Sequence, residues 1–191
     1  AWLLVSRLLI VVAMNLVRNY ILYYIQYLLQ MTAQQAADAA GTLMAILAVA
    51  IAAIVYPAGA LSDRIGRKPL VVASGLVGAA GSLLMLLART YTHLLIFGGV
   101  LGLSIGVFLS ANWALLTDQV PQEESGRYLG ISNLATAGAG AVAGIGGFVM
   151  DTFNAQAPGR GYVALYVLAA VCYLAGTALL AKVREVRQVA A

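Results

Sequence analysis

The sequence predicts an all-α integral membrane protein of six transmembrane helices, and three observations carry that expectation. Hydrophobic residues make up 62% of the 191 and charged residues only 9%, against about 25% in ordinary soluble domains, so the chain lacks the side chains that a water-facing surface requires. Six stretches are each apolar over the roughly 20 residues needed to cross about 30 Å of hydrocarbon. The basic residues gather at the ends of these stretches rather than along one face. That placement suits membrane orientation and argues against nucleic acid as a partner, despite a net charge of +4. Backbone groups in lipid must be satisfied within the span, which leaves the helix, since the short alternating segments of a membrane barrel are absent.

The first span, Leu8 to Leu29, carries Arg18 about ten residues in, ~15 Å along the axis and close to the bilayer centre. A central arginine costs ~2.5–3.5 kcal/mol even on low scales, so Arg18 is expected to face a cavity or a partner. Asn15, Arg18, Asn19, Tyr23 and Gln26 recur at helical spacing, a polar stripe expected to line a central pathway. Tyr20, Tyr23, Tyr24 and Tyr27 follow one another so closely that some must pack or meet lipid.

The second span runs from Ala39 to Ala60 and the third from Pro69 to Ala88. The fourth, His93 to Leu116, repeats glycine every fourth residue at Gly98, Gly102 and Gly106, as the fifth, Tyr128 to Met150, does at Gly140 and Gly144. Both runs are expected to let neighbouring backbones approach closely. Asn112 and Trp113 in span four and Asn133 in span five are further candidates for the pathway, with Thr136 beside them. The sixth span, Tyr162 to Ala181, holds the single cysteine, Cys172, a packing residue with no intrachain partner. No Asp or Glu falls inside a predicted span, so a proton-coupling carboxylate would have to come from elsewhere. Short connections suggest that sequential helices pack as antiparallel neighbours in one bundle over residues 1–191.

Arg7, Arg64, Arg67, Lys68, Arg127, Lys182, Arg184 and Arg187 fall on one side of the membrane, whereas only Arg89 and Arg160 fall on the other. The richer side is expected to be cytoplasmic, with both ends of the chain there and the plasma (inner) membrane as the location.

The loop "GALSDRIGRKPLV" concentrates Asp63, Arg64, Arg67 and Lys68. Topology accounts for its basic residues, but not for Asp63 or the glycines. Gly59 lies one helical turn before Asp63, where a partner helix could approach, while Gly66 permits a tight reversal and Pro69 suits the first turn of span three.

The order Gly59, Asp63, Arg64, Gly66, Arg67, Lys68, placed after the second span, resembles the loop signature of the major facilitator superfamily. That resemblance implies a twelve-helix fold of which this chain is one six-helix half. "SANWALLTDQVPQEESGRYLGISN", "VRNYILYYIQYLL" and the ending "AKVREVRQVAA" resemble the carboxy-terminal half, and the opening without methionine is expected of a piece of a longer protein. The implied activity is secondary active transport of a small solute, whether a sugar, a drug-like compound or an anion, by symport or antiport with a coupling ion. The implied partners are the bilayer and the missing half, with no cofactor and no metal. The resemblance further implies that Asp63 pairs with Arg67 and faces the start of span five near Ser125 to Tyr128, a latch that opens and closes with the transporter. Arg127 with Asp118, Glu123 and Glu124 would adjoin it.

Two other readings are weaker. A non-transporting scaffold or receptor would share the fold but need neither Arg18 nor a switchable Asp63. A rhomboid-like intramembrane serine protease is suggested by "GLSIG" around Ser104, yet the only histidine, His93, lies ~16 Å away along the same helix. The chain is therefore not expected to be an enzyme.

Overall fold

A computed structural model describes residues 2–118 and 125–183. Glu123, Glu124, Arg184 and Arg187 lie outside these residues, as do the side chains of Ser125 and Tyr128. The described chain forms α1 (Trp2–Leu29), α2 (Ala33–Ile65), α3 (Arg67–Met85), α4 (Tyr91–Asp118), α5 (Ser125–Ala143), α6 (Ile145–Asn154) and α7 (Arg160–Leu179), closed by a short 3-10 turn, Leu180–Lys182. Six spans are long and apolar enough to cross a membrane, α5 and α6 together making the fifth.

Local chemistry sets the ends. Thr32 starts α2 with a capping box, its hydroxyl accepting from the Gln35 amide while the Gln35 side chain accepts from the Thr32 N–H. Gly66 is the one residue between α2 and α3, at φ 99° and ψ 155°, a conformation essentially reserved for glycine. At the opposite end of the bundle the Asn154 side-chain oxygen accepts from the N–H groups of Gly159 and Gly161, at 3.1 and 2.9 Å, capping α7.

Two expectations change. The first helix begins at Trp2 rather than Leu8, which brings Arg7 inside it. The fifth span is broken at Gly144, where Gly144 N–H donates to Ala141 and Gly147 N–H to Gly144, so bonds three residues apart replace those four apart.

Packing also departs from simple neighbour order. α3 and α4 are sequential and pack extensively, but the other large interfaces join α1 with α7, α2 with α4, α3 with α7 and α1 with α5. Short loops hold helix ends together without choosing the faces that meet. In lipid that choice falls to close-fitting small residues and interhelical hydrogen bonds. Gly102 of α4 lies so close to α2 that a Cβ there would meet Ala50 Cβ at 3.0 Å and the Leu47 carbonyl oxygen at 3.2 Å; Gly98 and Gly106 face Leu43 and Ile54 of α2. Gly140, by contrast, has nothing within 4 Å, and a Cβ at Gly144 would meet only its own chain at Ala141, so these two do not form a helix contact here. Ser6 donates to the Gly176 carbonyl (2.6 Å), joining α1 to α7, and Tyr24 donates to that of Met85 (2.7 Å), joining α1 to α3. Ser104 is buried and donates to the Ser74 carbonyl at 2.7 Å, while His93, at the far end of α4, accepts from the Arg89 N–H. Ser104 thus binds helices together, with no base in reach.

Candidate functional site

α1 is the centre of the bundle, packed on α7, α5 and α2 and touching α4. Between α1, α2 and α4 lies a cavity of about 480 Å³, edged by Met85, Thr136 and Tyr173. Its walls are apolar, Leu43, Leu47, Leu101 and Ile105 among them, and Arg18 and Asn15 reach it from α1. Asn15 donates to the Val11 carbonyl of its own helix at 2.8 Å.

The polar stripe divides. Arg18 and Asn15 line this cavity, whereas Tyr23 and Gln26 line a shallower depression of about 330 Å³ at the other end of α1, with Tyr27 and Tyr162. There Tyr27 stacks on Tyr162 with ring centres 5.0 Å apart. Asn19 is exposed and lines neither.

None of Asn112, Trp113 and Asn133 lines the large cavity. Asn133 is exposed on α5. Asn112 is fully buried, and its side-chain oxygen accepts from the Arg7 guanidinium. Trp113 places its ring 5.3 Å below the same guanidinium, within cation–π range.

Arg7 is the residue the sequence reading missed. Taken there as a charge outside the span, it is only 6% exposed and bridges three helices, with Asn112 of α4 on one side and Thr136 Oγ1 of α5 at 3.4 Å on the other. A signal was present: Arg7 and Arg18 are eleven residues apart, just over three full turns, and so share one face of α1.

The charged loop lies at the end of the bundle where the described chain begins and ends. Trp2 stacks under Lys182 at 4.4 Å, and Lys68 Nζ donates to the Val183 carbonyl at 2.7 Å. Arg67 makes its closest ion pair with Asp118, at 2.6 Å, and also donates to the Ala114 carbonyl; its distance to Asp63 is 3.9 Å. The reason is the turn at Gly66, which starts α3 with Arg67 beside the C-terminal end of α4, where free carbonyls favour a cation. Asp63 is left 73% exposed, and Arg64 and Arg127 are exposed as well. Gly59 lies against Ser110 of α4. Among the described residues α2 and α5 share no substantial interface.

The sequence profile described as Major Facilitator Superfamily matches residues 3–190. The chain belongs to that superfamily. Its six spans form one half of the major facilitator fold in an integral membrane protein. It is 36% identical over 104 residues to the minor myo-inositol transporter IolF of Bacillus subtilis (strain 168), a match covering 53% of this chain and 24% of that protein. It is 41% identical over 99 residues to the multidrug resistance protein MdtG of Salmonella choleraesuis (strain SC-B67), covering 50% of this chain and 24% of MdtG. The matches thus span about a quarter of these relatives. Among solved structures, an auto-inhibited POT family peptide transporter superposes with a TM-score of 0.70 over 97% of this chain and 37% of its own, at 15% identity, a likeness of fold.

Proposed function

We propose that the chain is the carboxy-terminal six-helix half of a secondary active transporter that moves a small solute by alternating access. The observation that carries this reading is Arg18, a charge in mid-span that lines a largely apolar cavity. α2 and the α5–α6 span are the least buried of the six and share no substantial interface among the described residues. Their outer faces, with Tyr56, Leu134 and Phe148 at 85%, 74% and 74% exposure, are where the other half is read as packing. Alternating access then consists of one half rocking on the other around the Arg18 cavity.

The end bearing Arg64, Arg67, Lys68 and Lys182 is read as cytoplasmic, and the membrane as the plasma (inner) membrane. Arg67 braces α3 to α4 within this half, while exposed Asp63 is the part of the loop offered to the other half as a latch. Among the described residues no Asp or Glu lines the cavity, and a coupling carboxylate is read as coming from the other half. The relatives' names, an inositol transporter and a multidrug resistance protein, support a small solute as the cargo and transport as the activity.

The test is cysteine accessibility in the full-length protein, with Cys172 removed and single cysteines placed along the cytoplasmic half of α5. Asp63→Asn is expected to increase labelling from the cytoplasmic side. Unchanged labelling would reduce the loop to a topology signal and remove the latch.

A further inference from the structure

Resting on the transport reading, we propose that the cargo is an amphipathic organic anion and that Arg7 is its second binding station, at the cytoplasmic end of the cavity. Arg7 and Arg18 stand on one face of α1, ~16 Å apart along the axis. Val11 and Met14, between them, line the cavity. Thr136 joins the two places, since it lines the cavity and accepts from Arg7 Nε.

Among the described residues no carboxylate neutralises the charge at Arg7. Its bonded partners, Asn112 and Thr136, are neutral. A buried, uncompensated charge is costly, which makes an outside counterion favourable. Two further groups lack partners among the described residues: Asn112 Nδ2, on the side chain that Arg7 holds, and Ser132 Oγ, on the helix that carries Thr136, both fully buried. Ser132 sits one turn before Thr136 on α5, whose hydroxyl donates to its carbonyl. Guanidinium, amide N–H and hydroxyl can all donate, and the group that satisfies all three is an oxyanion. In the cavity itself the buried Tyr173 hydroxyl has no partner either. The apolar walls suit a hydrocarbon body, whereas a polyol would leave most of its hydroxyls unbonded there.

In operation, the anion first meets Arg18 at mid-depth. It then competes with Asn112 and Thr136 for Arg7, loosening the contact that ties α5 to α1 and α4. Its passage toward the cytoplasm is therefore coupled to release of α5.

The experiment uses purified full-length transporter and three probes of one shape: 2-naphthoate, 2-naphthalenemethanol and 2-naphthylmethylamine. Affinity is read from the concentration dependence of the thermal unfolding midpoint. Naphthoate should bind at least tenfold more tightly than either analogue. Arg18→Gln should weaken it roughly ten- to a hundredfold, and Arg18→Lys by less than Arg18→Gln. Arg7→Gln should weaken it roughly tenfold. Asn112→Asp, which supplies an internal counterion and keeps the arginine, should do the same without lowering the unfolding midpoint of the free protein. Equal binding of all three probes overturns the anionic cargo. Indifference of naphthoate to both Arg7→Gln and Asn112→Asp overturns the second station and assigns the neutralising oxyanion to a carboxylate of the protein, which loss of stability in Glu123→Gln or Glu124→Gln would identify. Alternating access is read separately, by cysteine labelling, so the transport reading can stand where the anion fails.

Discussion

Arg67 shows how a residue's role follows from the direction its helix takes. The loop resemblance implies a pair with Asp63, which stands at 3.9 Å, while the glycine turn at Gly66 brings Arg67 closer to the end of α4 and to Asp118, at 2.6 Å. Asp118→Asn should therefore destabilise the bundle by about 1–3 kcal/mol, the loss of a charge-assisted, half-buried contact. Asp63→Asn should change stability by no more than ~0.5 kcal/mol, as an exposed pair does. Comparing the two variants by unfolding in denaturing detergent decides the matter, and an equal cost would return Asp63 to the brace. Gly66→Ala forces a Cβ into a backbone region that glycine alone occupies readily and should cost about 1–3 kcal/mol in the same measurement. Full stability of that variant would mean that the α2–α3 turn adopts another conformation.

For whole helices the deciding quantity is how closely two backbones approach. Gly102 touches α2, whereas Gly140 faces open space within this chain. Gly102→Leu should then part α4 from α2 at a cost of about 1–3 kcal/mol or more, as overpacking does, and Gly140→Leu should leave the six-helix chain nearly unchanged. Equal losses would contradict the α2–α4 contact. Both glycines fall in similar four-residue repeats, so the sequence marks them alike. What separates them is the identity of the neighbour, a contact between residues some fifty positions apart that no local pattern records. Arg7 was hidden by a related ambiguity, because hydropathy places a span's edge within a few residues and Arg7 stands within that margin of Leu8.

On the scale of the molecule, the least buried spans are α2, packed on α4, and α5–α6, packed on α1 and α7. A half with both of these spans little buried has no opposing bundle against which to rock. The six-helix polypeptide reconstituted alone in liposomes is expected to take up neither inositol nor 2-naphthoate. Saturable uptake of either would show that the half, or a pair of them, is a complete transporter.

Composition by itself determined the solvent of this protein, the helical nature of its spans, their number and the asymmetry of charge between its two ends, because each of these follows from sums over consecutive residues. The loop order at Gly59 to Lys68 was enough to suggest the superfamily. Only the tertiary structure decided that α1 lies at the centre, that the fifth span breaks at Gly144, that Arg67 holds Asp118 and that Arg7 is buried among α1, α4 and α5. Those outcomes depend on which helix faces meet, and in lipid, where every face is apolar, that choice rests on close fit and a few hydrogen bonds rather than on hydrophobic burial.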